Sequence, residues 1–281
     1  MIVSVFTSVF NACEEVLRRT YESLKAQSHT NWEWVVSDDS SKPETIAYLQ
    51  KIQDEDARVK LYAIFPKSGG NIGEAKYRAA MLCKGELLVE LDHDDELTKD
   101  ALEELVATAN LHSDAGFFYS DCAEIDGQRN SLTYGDTYCG GYGTYYESEY
   151  EGKKYLVGKT PEINPITIRH ISGVPNHLRC WRRTFYLSIG GHNRTVAIAD
   201  DYELIVRTFL NTKMIHISKL LYFQHYHQSN TQLARRDEIL AEVKKIAMFY
   251  DQKITERFHY IEKVQPVLVD IIERNLSTKS N

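Results

Sequence analysis

Apolar residues recur along this chain in two alternating rhythms. Ile2-Val3-Ser4-Val5-Phe6-Thr7-Ser8 is a short, mostly apolar run of strand length, and Val16, Leu17, Tyr21 and Leu24 then follow at helical spacing to about Gln27. Trp32 to Val36 predicts a second strand, ended by Ser37-Asp38-Asp39-Ser40-Ser41. Ser41 with Glu44 three residues later has the form of a capping box, Pro43 suits a first helical turn, and Ile46, Leu49 and Ile52 mark the buried face. Val59 to Phe65 predicts a third strand. After Gly69-Gly70-Asn71-Ile72-Gly73, the spacing of Ala75, Ala79 and Met81 predicts another helix, and Glu86-Leu87-Leu88-Val89 a fourth strand. Strands alternating with helices of this length imply an open α/β fold: a mostly parallel sheet flanked by crossover helices. Such sheets bind ligands at their carboxyl edge, where Asp39 and Asp92 both fall.

The second half is less regular. Thr98 is placed to cap a helix carrying Leu102, Leu105, Val106 and Ala109, and Gly116 to Ser120 returns as a strand. Tyr134 to Tyr155 holds seven tyrosines and five glycines with almost no aliphatics. A long stretch without periodicity is usually functional or mobile, and tyrosine faces suit stacking on a sugar or a base. The chain resumes with Ile166 to Ile171, Gly173 to His177 and Trp181-Arg182-Arg183, and Gly190-Gly191-His192-Asn193 reads as a turn. Asp200-Asp201-Tyr202-Glu203-Leu204 opens a helix with Leu204, Ile205, Thr208 and Phe209 inward, and Met214 to Ile217 is a further strand. Ile239, Val243, Ile246 and Phe249, then Val267, Leu268 and Ile271, predict helices packed on the main domain, with Ser277 to Asn281 frayed. The expected organisation is a domain over 1–232, interrupted by an insert at 134–160, and a helical extension over 233–281.

Composition narrows the classes. With 43% hydrophobic and 11% aromatic residues, the 281-residue chain can bury a core. Its formal charge of −7 argues against nucleic acid as a partner, because phosphate binding normally shows as a basic patch. Five cysteines, widely spaced and without Cys-x-x-Cys, fit a reduced compartment and give no zinc site. Met1 to Phe10 lacks a basic leader, and no apolar run approaches the roughly 20 residues of a membrane span. A soluble, cytoplasmic protein without stable membrane insertion is therefore expected.

The chemistry concentrates in Glu90-Leu91-Asp92-His93-Asp94-Asp95-Glu96, just past the fourth strand. Asp92 and Asp94 alternate along an extended chain and can face one point. Carboxylates crowded in this way repel unless a cation lies between them, and Mg²⁺ or Mn²⁺ with phosphate oxygens is the usual solution. A solvated acidic loop before a helix is the competing reading of Asp-x-Asp taken alone.

Together these residues resemble a family-2 glycosyltransferase with the GT-A fold, over about residues 1 to 230. The matching pieces are Thr7-Ser8 with Asn11, Val35-Val36-Ser37-Asp38-Asp39-Ser40, Asn71-Ile72-Gly73 followed by Arg78, Leu91 to Asp95, Gly190-Gly191, and Asp200 to Leu204. The resemblance implies a nucleotide-diphosphate-sugar donor, UDP-linked, and an acceptor hydroxyl on a saccharide, glycoconjugate or other molecule. It puts Asp39 on the base, with Thr7, Ser8 and Asn71 around the nucleotide and Arg78 either near the nucleotide or bracing the acidic cluster. Asp92 would meet the ribose or a metal-bound water, and Asp94 the Mn²⁺ or Mg²⁺ ion. Asp95 would be a supporting acceptor or a helix-capping acid. Asp201 matches the general base of inverting members, where Glu-Asp is usual and this chain has Asp200-Asp201. His225 and His227 fall where relatives supply a late metal or diphosphate contact. Asn176, His177, Arg179 and Trp181, with Asp200, fall in the acceptor region, beside the 134–160 insert.

Other classes fit these residues less well. A phosphotransferase using Asp-x-Asp places it after the first strand, not the fourth, and a calcium loop needs a glycine and a distal glutamate that are missing here. A nucleotidyltransferase would want a Gly-rich basic loop where Ser8-Val9-Phe10-Asn11-Ala12 stands. A sugar-binding module without activity has no reason to keep Asp92, Asp94 and Asp201 together.

Overall fold

The first strand, β1 (Val3–Val9), is buried along almost its whole length, as a strand covered by helices on both faces must be. In the computed structural model, which describes residues 1–63, 65–171, 173–227 and 235–264, it runs parallel to β2 (Trp32–Asp38) on one side and β4 (Leu87–Glu90) on the other. β3 (Val59–Ala63) adds in parallel beyond β2, ending short of the expected Phe65. The crossovers are α1 (Glu14–Lys25), α2 (Pro43–Glu55) and α3 (Ile72–Leu82). This half is the α/β alternation that the hydrophobic periodicity predicts.

Beyond β4 the sheet becomes mixed. In chain order follow β5 (Glu96–Leu97), α4 (Ala101–Leu111), β6 (Ala115–Ile125), β7 (Thr144–Tyr150), β8 (Lys153–Lys159), α5 (Thr167–His170), β9 (Arg179–Arg182), α6 (Arg183–Ser188), α7 (Asp200–Asn211), β10 (Lys213–His225) and α8 (Arg236–Val264). The strand order is β3-β2-β1-β4-β9-β6-β10-β5, with β7 and β8 attached at β6. β9, which the sequence pattern does not reveal, lies antiparallel between β4 and β6.

Three local expectations are corrected. The cap of α2 is Lys42, without a side-chain bond; the acceptor is Asn11 Oδ1, which takes the Ser41 and Lys42 amides at 2.9 and 3.0 Å, so the Ser41/Glu44 box is not used. Asn11 reaches them at φ 52, a conformation asparagine tolerates. Thr98 is not the cap of α4; Asp100 is, and Thr98 Oγ1 donates to Asp100 Oδ1 at 2.7 Å. The tyrosine-rich stretch is largely regular: two short 3₁₀ turns within Gly135–Gly141, broken at Tyr138, Cys139 and Gly140, lead into the β7–β8 hairpin, with Tyr138 and Tyr155 turned inward.

One core packs α1, α2 and α4 on the sheet, and a second packs α3, α6 and α7 on the opposite face. α8 lays Ile246, Tyr250 and Ile254 on Tyr202, Ile205 and Phe209 of α7, so the expected packing of the extension is present there. Val267, Leu268, Ile271, residues 277–281 and the 232/233 boundary lie outside the described residues. Among the described residues no helix is long and apolar enough to cross a membrane.

Candidate active site

The acidic loop after β4 is held from beneath by α1. Arg19 Nη2 donates to Asp94 O at 2.6 Å, and Thr20 Oγ1 lies 2.8 and 2.9 Å from His93 O and Asp95 O. Asp95 turns inward: it is 2% exposed and accepts from Tyr222 OH at 2.7 Å and His225 N at 2.8 Å. Burial, with Asp94 and Asp92 nearby, pushes its carboxyl well above the usual range. Asp95 is thus an internal acceptor shaping the loop rather than the cap of a helix, and Asp92 and Asp94 are left to face the rim.

A ladder of alternating charge leads from this rim to α7. Asp92 lies 3.3 Å from Lys76 Nζ and 3.4 Å from His177 Nε2. Lys76 also pairs with Glu90, Glu90 lies 3.9 Å from Arg179 Nη1, and the same nitrogen donates to Asp201 Oδ2 at 3.0 Å. Burial works against charge on Glu90, yet Lys76 and Arg179 bring its carboxyl down to about 2. Burial likewise opposes ionising Asp92, and Lys76 and His177 hold it well below the carboxylate range. The helix–strand framework therefore fixes Asp92 and Asp201 relative to each other through buried cations.

Asp201 sits in the first turn of α7 with its side chain one-third exposed, where the helix dipole favours negative charge. Asp200 points the other way, into the core. Its Oδ2 lies 3.7 Å from His192 Nε2, and among the described residues both atoms lack a hydrogen-bond partner. Burial pushes the Asp200 carboxyl up to about 7 and the His192 imidazole down to about 4. Asp200 is therefore not an acceptor contact, because its carboxylate is 3% exposed and directed away from the rim.

Asp94 Oδ2 lies 2.7 Å from His227 Nε2. Burial opposes its charge, but the hydrogen bond with His227 brings the Asp94 carboxyl below its usual value, and the same contact raises His227. The Asp94 carboxylate at an open rim suits a hard divalent cation that also takes substrate oxygens, with the His227 imidazole beside it as a softer second donor. Among the described residues no group of three or more His, Cys, Asp or Glu forms a complete protein cage. Two expected ligands are placed otherwise. Asp92 directs both oxygens at Lys76 and His177, and His225 Nε2 meets Glu96 at 2.5 Å, in a cluster with Arg129.

The other predicted residues divide. Asp39, 7% exposed at the end of β2, accepts from Ser68 N and Oγ at 2.9 and 2.5 Å, so loop 66–68 closes over it. Arg78 bonds Glu74 Oε1 and Pro66 O, bracing that loop and not the acidic cluster. Thr7 is buried and accepts from Trp34 Nε1, Ser8 is half-buried in β1, and Asn71 is the cap of α3, accepting from Glu74 N. Asn176 bonds Gln224 and is half-buried beside His177. Trp181 is a correction: it is fully buried, with its indole N–H on Thr208, so it offers no acceptor a face. Sequence reasoning missed Lys76 and His192, and gave Glu90 no role of its own within the acidic stretch. A lysine inside a helix reads as solvent-facing, and only its place one helical turn from the rim could have hinted otherwise.

β2, β1 and β4 are consecutive, so the loops bearing Asp39 and Asp92 flank β1 about 10 Å apart, two strand spacings. A mixed sheet of this order, with acids from separate loops gathered at one rim, defines the GT-A class. A family model for glycosyl transferase family 2 matches residues 4–167, and the chain belongs to that family. It is 28% identical over 225 residues to an uncharacterized protein of Sinorhizobium fredii, covering 79% of this chain and 22% of that one. It is 26% identical over 236 residues to a chondroitin synthase of Escherichia coli, covering 84% and 30%. The chain thus spans less than a third of the length of these relatives. The crystal structure of S. aureus TarS in complex with UDP-GlcNAc superimposes with a TM-score of 0.66 at 17% identity, over 94% of this chain and 73% of that one, which is a likeness of fold.

Proposed function

We propose that this chain transfers a sugar from a UDP-linked donor to an acceptor hydroxyl with inversion, in the presence of Mn²⁺ or Mg²⁺. The observation that carries the proposal is the ladder Asp92–Lys76–Glu90–Arg179–Asp201, which couples a rim suited to a nucleotide diphosphate to a one-third-exposed carboxylate suited to a base. TarS was crystallised with UDP-GlcNAc and shares the fold, which favours uridine among the nucleotides.

In this reading Asp39 accepts from the base once Ser68 gives way, and Asp92 accepts from the ribose. Asp94 and His227 would hold the divalent ion, which when bound supplies positive charge to the departing nucleoside diphosphate. Asp201 takes the acceptor proton as the new glycosidic bond forms, because a hydroxyl is a poor nucleophile until it loses that proton. Arg179 on Oδ2 and the Tyr202 amide on Oδ1 fix the carboxylate, and each oxygen keeps a lone pair for the acceptor. Attack from the face opposite the diphosphate inverts the anomeric centre.

The test is turnover of a panel of UDP-sugars with Mn²⁺ by the parent and by Asp201→Asn. The expected result is UDP release by the parent and a drop of at least about a hundredfold in the variant, the order of a lost general base, with UDP affinity kept. Equal turnover by the two proteins would remove Asp201 from the reaction.

A further inference from the structure

A continuous row of polar and aromatic groups runs from the rim to the tyrosine-rich hairpin along one face of the sheet. Tyr222 and Gln224 of β10 share that face, and Gln224 lies opposite Glu124 of β6 in the parallel register. His177 stacks on Tyr222 with ring centroids 4.7 Å apart, and Asn176 Nδ2 donates to Gln224 Oε1 at 3.0 Å. Tyr134 OH donates to Glu124 Oε2 at 2.6 Å, and Tyr134 N donates to Tyr145 OH at 3.0 Å. Glu124 and Gln224 are half-buried while Ala123, Ile125 and Phe223 beside them are buried, and Tyr134 is 45% exposed. Because His177 Nε2 lies 3.4 Å from Asp92, the row starts at the donor carboxylate.

We propose that this row is an extended track for an uncharged oligosaccharide acceptor, binding sugar units beyond the one whose hydroxyl reacts. The proposal rests on the transferase reading above and adds the chemical class of its acceptor. Asn176 Oδ1, the Gln224 NH₂ group and Glu124 Oε1 alternate acceptor, donor and acceptor, which suits sugar hydroxyls that do both. The Tyr134 ring, 45% exposed, supplies a flat apolar face with a polar edge, which matches the C–H face of a pyranose, while the buried His177 and Tyr222 support the row from beneath. Glu124 decides the charge. Among the described residues no Lys or Arg pairs with it, and burial pushes its carboxyl up, so a uronate- or phosphate-bearing chain would meet no cation there to balance it.

The full chain is titrated without donor against neutral tetrasaccharides (chitotetraose, cellotetraose and maltotetraose) and against a hyaluronan tetrasaccharide, by calorimetry. At least one neutral chain is expected to bind and the anionic one to bind at least tenfold more weakly. Tyr134→Ala should weaken the neutral complex at least fivefold, and Tyr134→Phe, which keeps the ring, less than twofold. Gln224→Ala is the second variant, read in the same way if Tyr134→Ala melts early. No binding of any neutral chain, equal binding of the anionic one, or parental affinity in both Tyr134→Ala and Gln224→Ala would overturn the track. UDP is titrated separately with Mn²⁺: a parent that binds the tetrasaccharide but not UDP contradicts the transferase reading and leaves the track standing.

Discussion

The pair Asp200–His192 shows how two adjacent acids acquire opposite tasks. Asp201 leans to the rim against Arg179, whereas Asp200 is turned into the core against an imidazole whose Nδ1 is taken by Tyr186 OH at 2.8 Å. Taken separately, the two shifts have opposite signs for stability. The raised Asp200 pKa favours the folded state at low pH and loses that contribution as pH rises toward about 7; the depressed His192 pKa favours it above the unfolded value of about 6.5 and loses that contribution as pH falls toward about 4. Between those limits the folded pair carries one proton, on Asp200, and the unfolded pair carries one, on His192, so their contributions nearly cancel. Asp200→Asn removes one side of the balance. Its melting temperature, followed from pH 7 to pH 4.5, should fall more steeply than the parent's, because His192 must then be kept neutral without compensation. Parallel curves would contradict this description of the pair.

At the scale of elements, the hairpin depends on one buried carboxylate. Asp121 of β6 is fully buried and accepts from His216 Nε2 at 2.7 Å, Thr160 N at 2.8 Å and Tyr146 OH at 3.1 Å, which ties β10 and both hairpin strands to β6. Asp121→Ala leaves one buried and two half-buried partners unmet and should cost about 3 kcal/mol of unfolding free energy in a urea titration; a loss under about 1 kcal/mol would show that the hairpin is held by its apolar contacts with Phe223 instead. The same region marks where legibility stopped. β1 to β4 with their helices follow directly from runs such as Leu87-Leu88-Val89, which are apolar on both faces. β7 carries tyrosine, serine and glutamate in place of aliphatics, and β8 holds only Leu156 and Val157 among lysines, Tyr155 and Gly158, so no hydrophobic alternation announced them. β9 was hidden for another reason: Arg179-Cys180-Trp181-Arg182 places two arginines in a strand, and their charges are satisfied by Asp201 and by backbone carbonyls that are remote in sequence.

For the whole molecule, the decisive feature is topological. The parallel half brings Asp39 and Asp92 to one rim, and the antiparallel β9 then carries Arg179 back beneath it to meet α7. The acids themselves were legible, because Asp-x-Asp past a strand and Asp-Asp at a helix start are local patterns. The cations between them were not, since Lys76 and Arg179 acquire their meaning only when α3 and β9 close on β4. The central claim is that this rim binds a nucleotide diphosphate through a divalent ion held at Asp94. Calorimetric titration of UDP into the parent and into Asp94→Ala, each with Mn²⁺ and with chelator, tests it most directly. The account predicts binding by the parent that weakens at least tenfold without Mn²⁺, and the same weak binding by Asp94→Ala in both conditions. UDP binding of equal strength in all four titrations, or none by the parent with Mn²⁺, would contradict it.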